Sequence, residues 1–187
     1  MIQRFSILVL AIIAIGCGGY LFTQMSRPEI QIAPDLELPI ISGKSVTSTA
    51  YSDIGAPMYQ IVAQQLDYFA HRHETEFSDP VVWVYNSAGT DIEWRISSDK
   101  ATLKNTDTLI MTDNVRMFNL LPDAGIELIK SDDMLLNFTD NTFSSDKRVE
   151  ITGKGFQNDG TGIIGSFELY QATLLKQVKG RYESFIR

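Results

Sequence analysis

The sequence predicts an all-β domain with open edges, carried behind one N-terminal transmembrane helix. Three observations lead there. From Val46 onward apolar residues recur with period two, as in "WRI" (Trp94, Ile96), "LIM" (Leu109, Met111), "MLLNF" (Met134, Leu136, Phe138) and "VEI" (Val149, Ile151). Polar residues take most of the alternate positions, the pattern of strands with one buried face. Clusters such as "YNSAGTD" and "NDGTG" separate the runs and supply turn chemistry. Their recurrence every 8 to 12 residues or so marks a sandwich or barrel of short antiparallel strands.

The third observation is a run without charge at the start of the chain. "FSILVLAIIAIGCGGYLF", Phe5 to Phe22, has one Ser as its only polar side chain. A helix of that length, rising about 1.5 Å per residue, nearly spans a hydrocarbon core. An uncleaved anchor accounts for the whole run. A lipoprotein signal ending at Cys17 ("AIGC") or a cleaved secretory signal accounts for less of it. Arg4 precedes the run and Arg27 follows it, and a short positive N-tail stays cytoplasmic, so the rest is expected across the membrane. The expected divisions are 1–25 for tail and helix, 26–45 for a linker, and 46–187 for the strand domain. Pro28, Pro34 and Pro39 give the linker an extended character.

Within the strand domain one layout recurs. "IVAQQLDYFAHRHETEFSDPVVWVYN", "ISSDKATLKNTDTLIMTDNVRMFN" and "IKSDDMLLNFTDNTFSSDKRVEIT" each pair two apolar runs around a polar cluster, and the tail from Gly160 is a worn fourth. "YQIVAQQLDYFAHRHE" has helical spacing as well, but its neighbours argue for a strand. One such unit cannot bury its apolar face alone, whereas stacked copies bury a continuous one. Stacking leaves an unpaired strand at each end, a template for another chain.

Composition excludes several function classes. The 187 residues are 44% hydrophobic and 21% charged, a globular balance. A net charge of −7 lacks the basic footprint of a nucleic-acid binder. Cys17 is the only cysteine, so a disulfide framework and thiolate chemistry are excluded from the strand domain. His71 and His73 would share a face on a strand, but two histidines in a polar run describe a solvated surface better than a metal site. Phosphate loop, nucleophile elbow and zinc signature are absent, so neither a metal, a cofactor nor an enzymatic activity is expected. Trp83, Trp94, Phe138 and Phe167 are expected in the core. Gly55 and Gly153 are read as structural glycines, needed for backbone shape.

Several motifs resemble the LptC family, the bitopic inner-membrane component of lipopolysaccharide export in Gram-negative bacteria. The most specific is "GAPMYQIVAQQLDY", with Gly55, Tyr59, Ala63, Gln64 and Tyr68. "EFSDPVV", "SDKATL", "LLPD" and "GKGF" follow in order, and the resemblance runs from the anchor to Ser184. It implies a periplasmic, twisted antiparallel β-jellyroll whose apolar interior takes acyl chains of lipopolysaccharide. It further implies transfer from an inner-membrane Lpt ABC transporter to the periplasmic bridge protein LptA. Carried over by position, Thr47, Phe77, Ala172 and Tyr182 would contact lipid. Leu174, Val178 and Tyr182 would lie on the partner-binding C-terminal edge. The implied location is the inner membrane, single-pass, with the C-terminal domain in the periplasm.

The charge balance bears on this expectation. Protein and lipopolysaccharide are both anionic, which disfavours surface binding of the head group. Acyl chains gain about 0.8 kcal/mol per buried CH₂, so recognition is expected through the interior. A lipid carrier and a structural adaptor with a closed core both stay open. Small residues in "GTGIIGS", "YQAT" and "SSDKAT" are expected to leave room for a ligand.

Overall fold

A computed structural model describes Tyr20 and residues 38–182. The chain divides into two compact units, Met1–Asp35 and Leu36–Arg187. The expected anchor and half of the expected linker lie in the first, outside the described residues apart from Tyr20. Among the described residues no helix is long and apolar enough to cross a membrane.

The second unit is built of eleven antiparallel strands: β1 (Ile41–Tyr51), β2 (Pro57–Phe69), β3 (Glu74–Ser78), β4 (Val81–Tyr85), β5 (Ile92–Ser97), β6 (Lys100–Lys104), β7 (Thr108–Asn119), β8 (Ile126–Asn137), β9 (Thr142–Gly153), β10 (Phe156–Ser166) and β11 (Gln171–Tyr182). β1 starts at Ile41, so Ile41 to Ser45 are not part of an extended linker. Ile41 to Lys44 pair with Tyr68 to Gln65 of β2, which satisfies their backbone groups without any proline in the way. "YQIVAQQLDYF" is strand, as the neighbourhood required. His71 and His73, however, sit in the exposed turn after it rather than on one strand face.

β3 and β4 pair successively with β2, and β6 and β5 pair successively with β7. Each couple is thus one long strand broken in the middle. Counted this way the sheet is a meander, every long strand pairing with its chain neighbours only. The repeated layout in the sequence is therefore a repeated hairpin.

The breaks explain the polar clusters that fall inside strands. Asp79 and Pro80 separate β3 from β4, and Ser98 and Asp99 separate β5 from β6. Register slips in β7 at Asp113 and Asn114, both with positive φ, and again in β8 between Ser131 and Leu135. It slips in β10 around Gly162, at φ 78°. Ser45 in β1 and Gln177 in β11 also have positive φ. The slips in β7, β8, β10 and β11 lie side by side and bend these strands, while β1 keeps its register across Ser45. Hydrogen bonds run along the bend: Asp79 N donates to Asp99 O at 2.8 Å, Asp99 N to Asp113 O at 2.9 Å, and Asn114 Nδ2 to Asp99 Oδ2 at 2.6 Å.

The bend folds the sheet into two layers. One holds β4, β5 and residues 115–119 of β7; the other holds β3, β6 and residues 108–112 of β7, and β8 to β11 divide likewise. The layers face each other. Trp94 of the first lies 6.3 Å from Phe143 and 6.0 Å from Phe167 of the second, and Tyr59 stacks on Phe138 at 3.7 Å.

Candidate functional site

The inward face of the first layer carries one unbroken apolar row. Ile61 pairs with Val82, Val82 with Ile96, Ile96 with Met117, Met117 with Ile129, and Ile129 with Ile151. All six are buried. The row continues to Asn158 and ends at Gly180 of β11. Eight strands at a spacing of about 4.8 Å make it roughly 34 Å long. The second layer has a matching row, Leu103, Leu109, Leu136, Phe143, Gly165 and Ala172. Between them lies the interior.

Both ends of this interior are open edges. Among the described residues β1 pairs only with β2, and β11 only with β10. Each edge strand has about a dozen residues, so each offers a long line of backbone donors and acceptors to another strand.

The residues singled out from sequence fall into three groups. Phe77 is buried in β3, paired with Leu66 and Ala101. Ala172 and Leu174 are half-buried on the inward face of β11, packed against the core. Val178 and Tyr182 are exposed, and the Tyr182 ring lies 6.5 Å from Phe156 at the far end of β11. Thr47 stands apart from all of these. It is exposed on β1 opposite exposed Val62, whereas its neighbour Val46 pairs with buried Ala63. Phe77 and Ala172 therefore border one interior, and Thr47 and Tyr182 stand on opposite edge strands.

Trp83 departs from expectation. Val82 and Val84 take the inward positions of β4, so alternation turns Trp83 outward, where the Arg95 guanidinium lies 5.7 Å from its ring. Trp94, Phe138 and Phe167 are in the core as read. Gly55 has φ 80° with open space around it, a requirement of conformation alone. Gly153 is a requirement of space: an added Cβ would lie 2.0 Å from Gly125 O and 2.3 Å from the Phe156 ring.

The small residues do not leave the expected room. A Cβ on Gly165 would sit 2.1 Å from the Phe143 ring, and on Gly160 3.2 Å from Leu174. Neighbouring side chains already occupy that space, so Gly165 admits the Phe143 ring and Gly160 the Leu174 side chain. The interior is packed.

Where the free ends of the layers meet, opposite the bend, a cavity of about 240 Å³ remains. Met58, Tyr59 and Val84 line it from the first layer, Phe138, Phe167 and Tyr170 from the second. Two hydrogen bonds cross between the layers at its rim. Tyr59 donates its hydroxyl to Thr106 O at 3.0 Å, and Tyr170 donates to Glu93 Oε1 at 2.7 Å. Burial raises the Tyr59 pKa above the ordinary phenol value, with the Asp107 charge adding to it. The bond to Glu93 raises that of Tyr170. Both stay neutral donors at physiological pH. Sequence reasoning missed this site because its two sides are 77 residues apart. Among the described residues no three metal-ligating side chains converge.

Comparison with known proteins gives the family. The lipopolysaccharide export system protein LptC of Haemophilus influenzae is 23% identical over 193 residues, covering 94% of this chain and 92% of its own length. Its counterpart in Escherichia coli K12 is 25% identical over 145 residues, covering 78% of this chain and 75% of its own. The crystal structure of LptH, the LptA-homologous periplasmic component of the lipopolysaccharide transport device of Pseudomonas aeruginosa, shares the fold. Its TM-score is 0.52 at 10% identity, over 67% of this chain and 95% of that one. The family described as lipopolysaccharide-assembly, LptC-related, matches residues 8–183. With nearly the whole chain matched, this protein belongs to the LptC family.

Proposed function

We infer that this chain serves lipopolysaccharide export by carrying the lipid's acyl chains between the two layers of its sheet. The observation that carries this reading is the paired apolar rows, running from β2 to β9 in the first layer and from β6 to β11 in the second, inside a sheet with an unpaired edge strand on each side among the described residues. A conduit needs an apolar path and two places to join others, and the fold offers both. Residues 1–25 hold the domain at the inner membrane, and the strand domain stands in the periplasm. Lipid comes from an inner-membrane ABC transporter and leaves along β11 to a jellyroll partner of the LptA kind. Leu174, Val178 and Tyr182 form the partner-facing edge. Phe77 and Ala172 meet the acyl chains inside, and Thr47 and Tyr182 meet cargo at the edges. The chain contributes no catalysis and takes no cofactor.

Energetics favour a conduit that opens. Parting the layers breaks ring contacts worth about 0.5–1.5 kcal/mol each. An acyl chain returns about 0.8 kcal/mol per buried CH₂, so a chain of ordinary length outweighs them. The acidic protein leaves the anionic head group outside. The packed interior favours a second reading, an adaptor that joins other proteins through its edges and stays closed. Photocrosslinking from Phe77 in intact cells separates the two. A lipopolysaccharide adduct at Phe77, absent at exposed Lys147, supports the conduit, and adducts at neither Phe77 nor Ala172 support the adaptor.

A further inference from the structure

The mouth of the interior carries a device that the conduit reading does not by itself require. An amphiphile with its chains between the layers and its head group outside must straddle the line where the layers meet. It can travel along the domain only if nothing bridges that line. Two side chains do bridge it, Tyr59 to Thr106 and Tyr170 to Glu93. They differ in kind. Tyr59 is buried and stacked on Phe138, part of the core. Tyr170 is exposed, reaches across with its hydroxyl, and lies in the turn between β10 and β11.

That turn holds Tyr170 at φ 50°, a conformation costly for an aromatic residue and cheap for Gly or Asn. The other hairpin turns fill such positions mostly with Gly, Asn or Asp, as at Gly89, Asn105, Asp123, Asn141 and Gly155. A tyrosine here is explained by its side chain rather than by the turn. Behind it Phe167 closes the floor of the cavity and touches Phe143 at 5.2 Å and Trp94 at 6.0 Å. The cavity is thus one step from the packed interior.

We propose that the Tyr170–Glu93 hydrogen bond is a staple across the mouth, and that the cavity behind it takes the first acyl chain of the cargo. The ligand class is a saturated hydrocarbon chain, received by Met58, Val84, Phe138 and Phe167. Glu93 and Glu168 at the rim repel a phosphate-bearing head group and keep it outside. Breaking one exposed hydrogen bond opens the mouth of this cavity, which suits a gate that must cycle with every molecule, while travel along the whole line also requires the Tyr59 bond to part. The proposal rests on the conduit reading.

The test uses the full-length chain, Cys17→Ser, with Glu93→Cys and Tyr170→Cys joined by a bismaleimide and a photoreactive residue at Phe77. Purified lipopolysaccharide is the probe. The unbridged protein is expected to give the adduct and the bridged protein to lose it, with circular dichroism unchanged. Tyr170→Phe, which removes only the hydroxyl, is expected to load roughly two to five times faster than the parent. An adduct that persists with the mouth bridged, or loading that Tyr170→Phe leaves unaltered, overturns the staple and leaves the conduit standing. An adduct absent from unbridged and parent protein alike overturns the conduit, and the staple with it.

Discussion

Gly165→Ala probes how tightly the interior is closed. Gly165 has no positive φ, so alanine fits its backbone and the substitution tests space alone. The new Cβ would meet three Phe143 ring atoms, at 2.1, 2.5 and 2.7 Å. The ring must give way, yet it is buried between Trp94 and Phe167. Overpacking of this kind costs about 1–3 kcal/mol, and this contact belongs at the upper end. Alanine returns about 0.4–1 kcal/mol through the unfolded chain. The net loss is about 2 kcal/mol, or roughly 4–8 °C in Tm for a domain of this size. Denaturant unfolding of residues 36–187, followed by the fluorescence of Trp83 and Trp94, measures it. In a Phe143→Leu background the penalty should shrink below about 0.5 kcal/mol, because the ring is gone. A neutral or stabilising Gly165→Ala, or a penalty indifferent to residue 143, would refute the packed interior.

Other predictions follow from the same geometry. Met117→Ala, in the middle of the first-layer row, should cost about 2–5 kcal/mol by denaturant unfolding, since Met117 is wholly buried. Gly153→Ala should destabilise by more than Gly55→Ala relieves or costs at the turn, because Gly125 O is backbone and cannot swing aside. Deleting Leu174 to Arg187 should abolish co-purification with the periplasmic partner while leaving membrane insertion intact. Tyr170 contributes a pH dependence of known sign. Its folded pKa is raised, so its contribution is complete below the ordinary phenol value of 10.0 and is lost as pH climbs through the folded value. An alkaline titration of Tyr170→Phe should lack that part of the loss, and an unaltered profile would mean the bond to Glu93 does not form in solution.

The strands were legible because period-two alternation survives on one buried face through every long strand. Met117 and Met134 could be read inward from their neighbours alone. The bend was not legible as such. "SSDK" at Ser97 breaks a strand while "KNTD" at Lys104 closes a hairpin, and both are short polar clusters with the same turn chemistry. Only pairing with adjacent strands separates a bulge from a turn. Trp83 shows the same limit on one residue: a large aromatic reads as core, but its place between Val82 and Val84 turns it outward. The glycines misled because a missing side chain looks like space until the partner that fills it is known, as Phe143 fills Gly165. Of the site, the edge strand β11 followed from the repeat, and the bridge from Tyr170 to Glu93 had no local signal.

The central claim is that cargo travels between the layers, and alternation tests it most directly. Photoreactive residues placed one at a time at Val82, Met117 and Ile151 face inward, and those at Trp83, Arg116 and Glu150 alternate with them on the same strands. In cells exporting lipopolysaccharide, the account predicts lipid adducts at the first three positions and none at the second three. Adducts without that alternation, or at the second set alone, would contradict it.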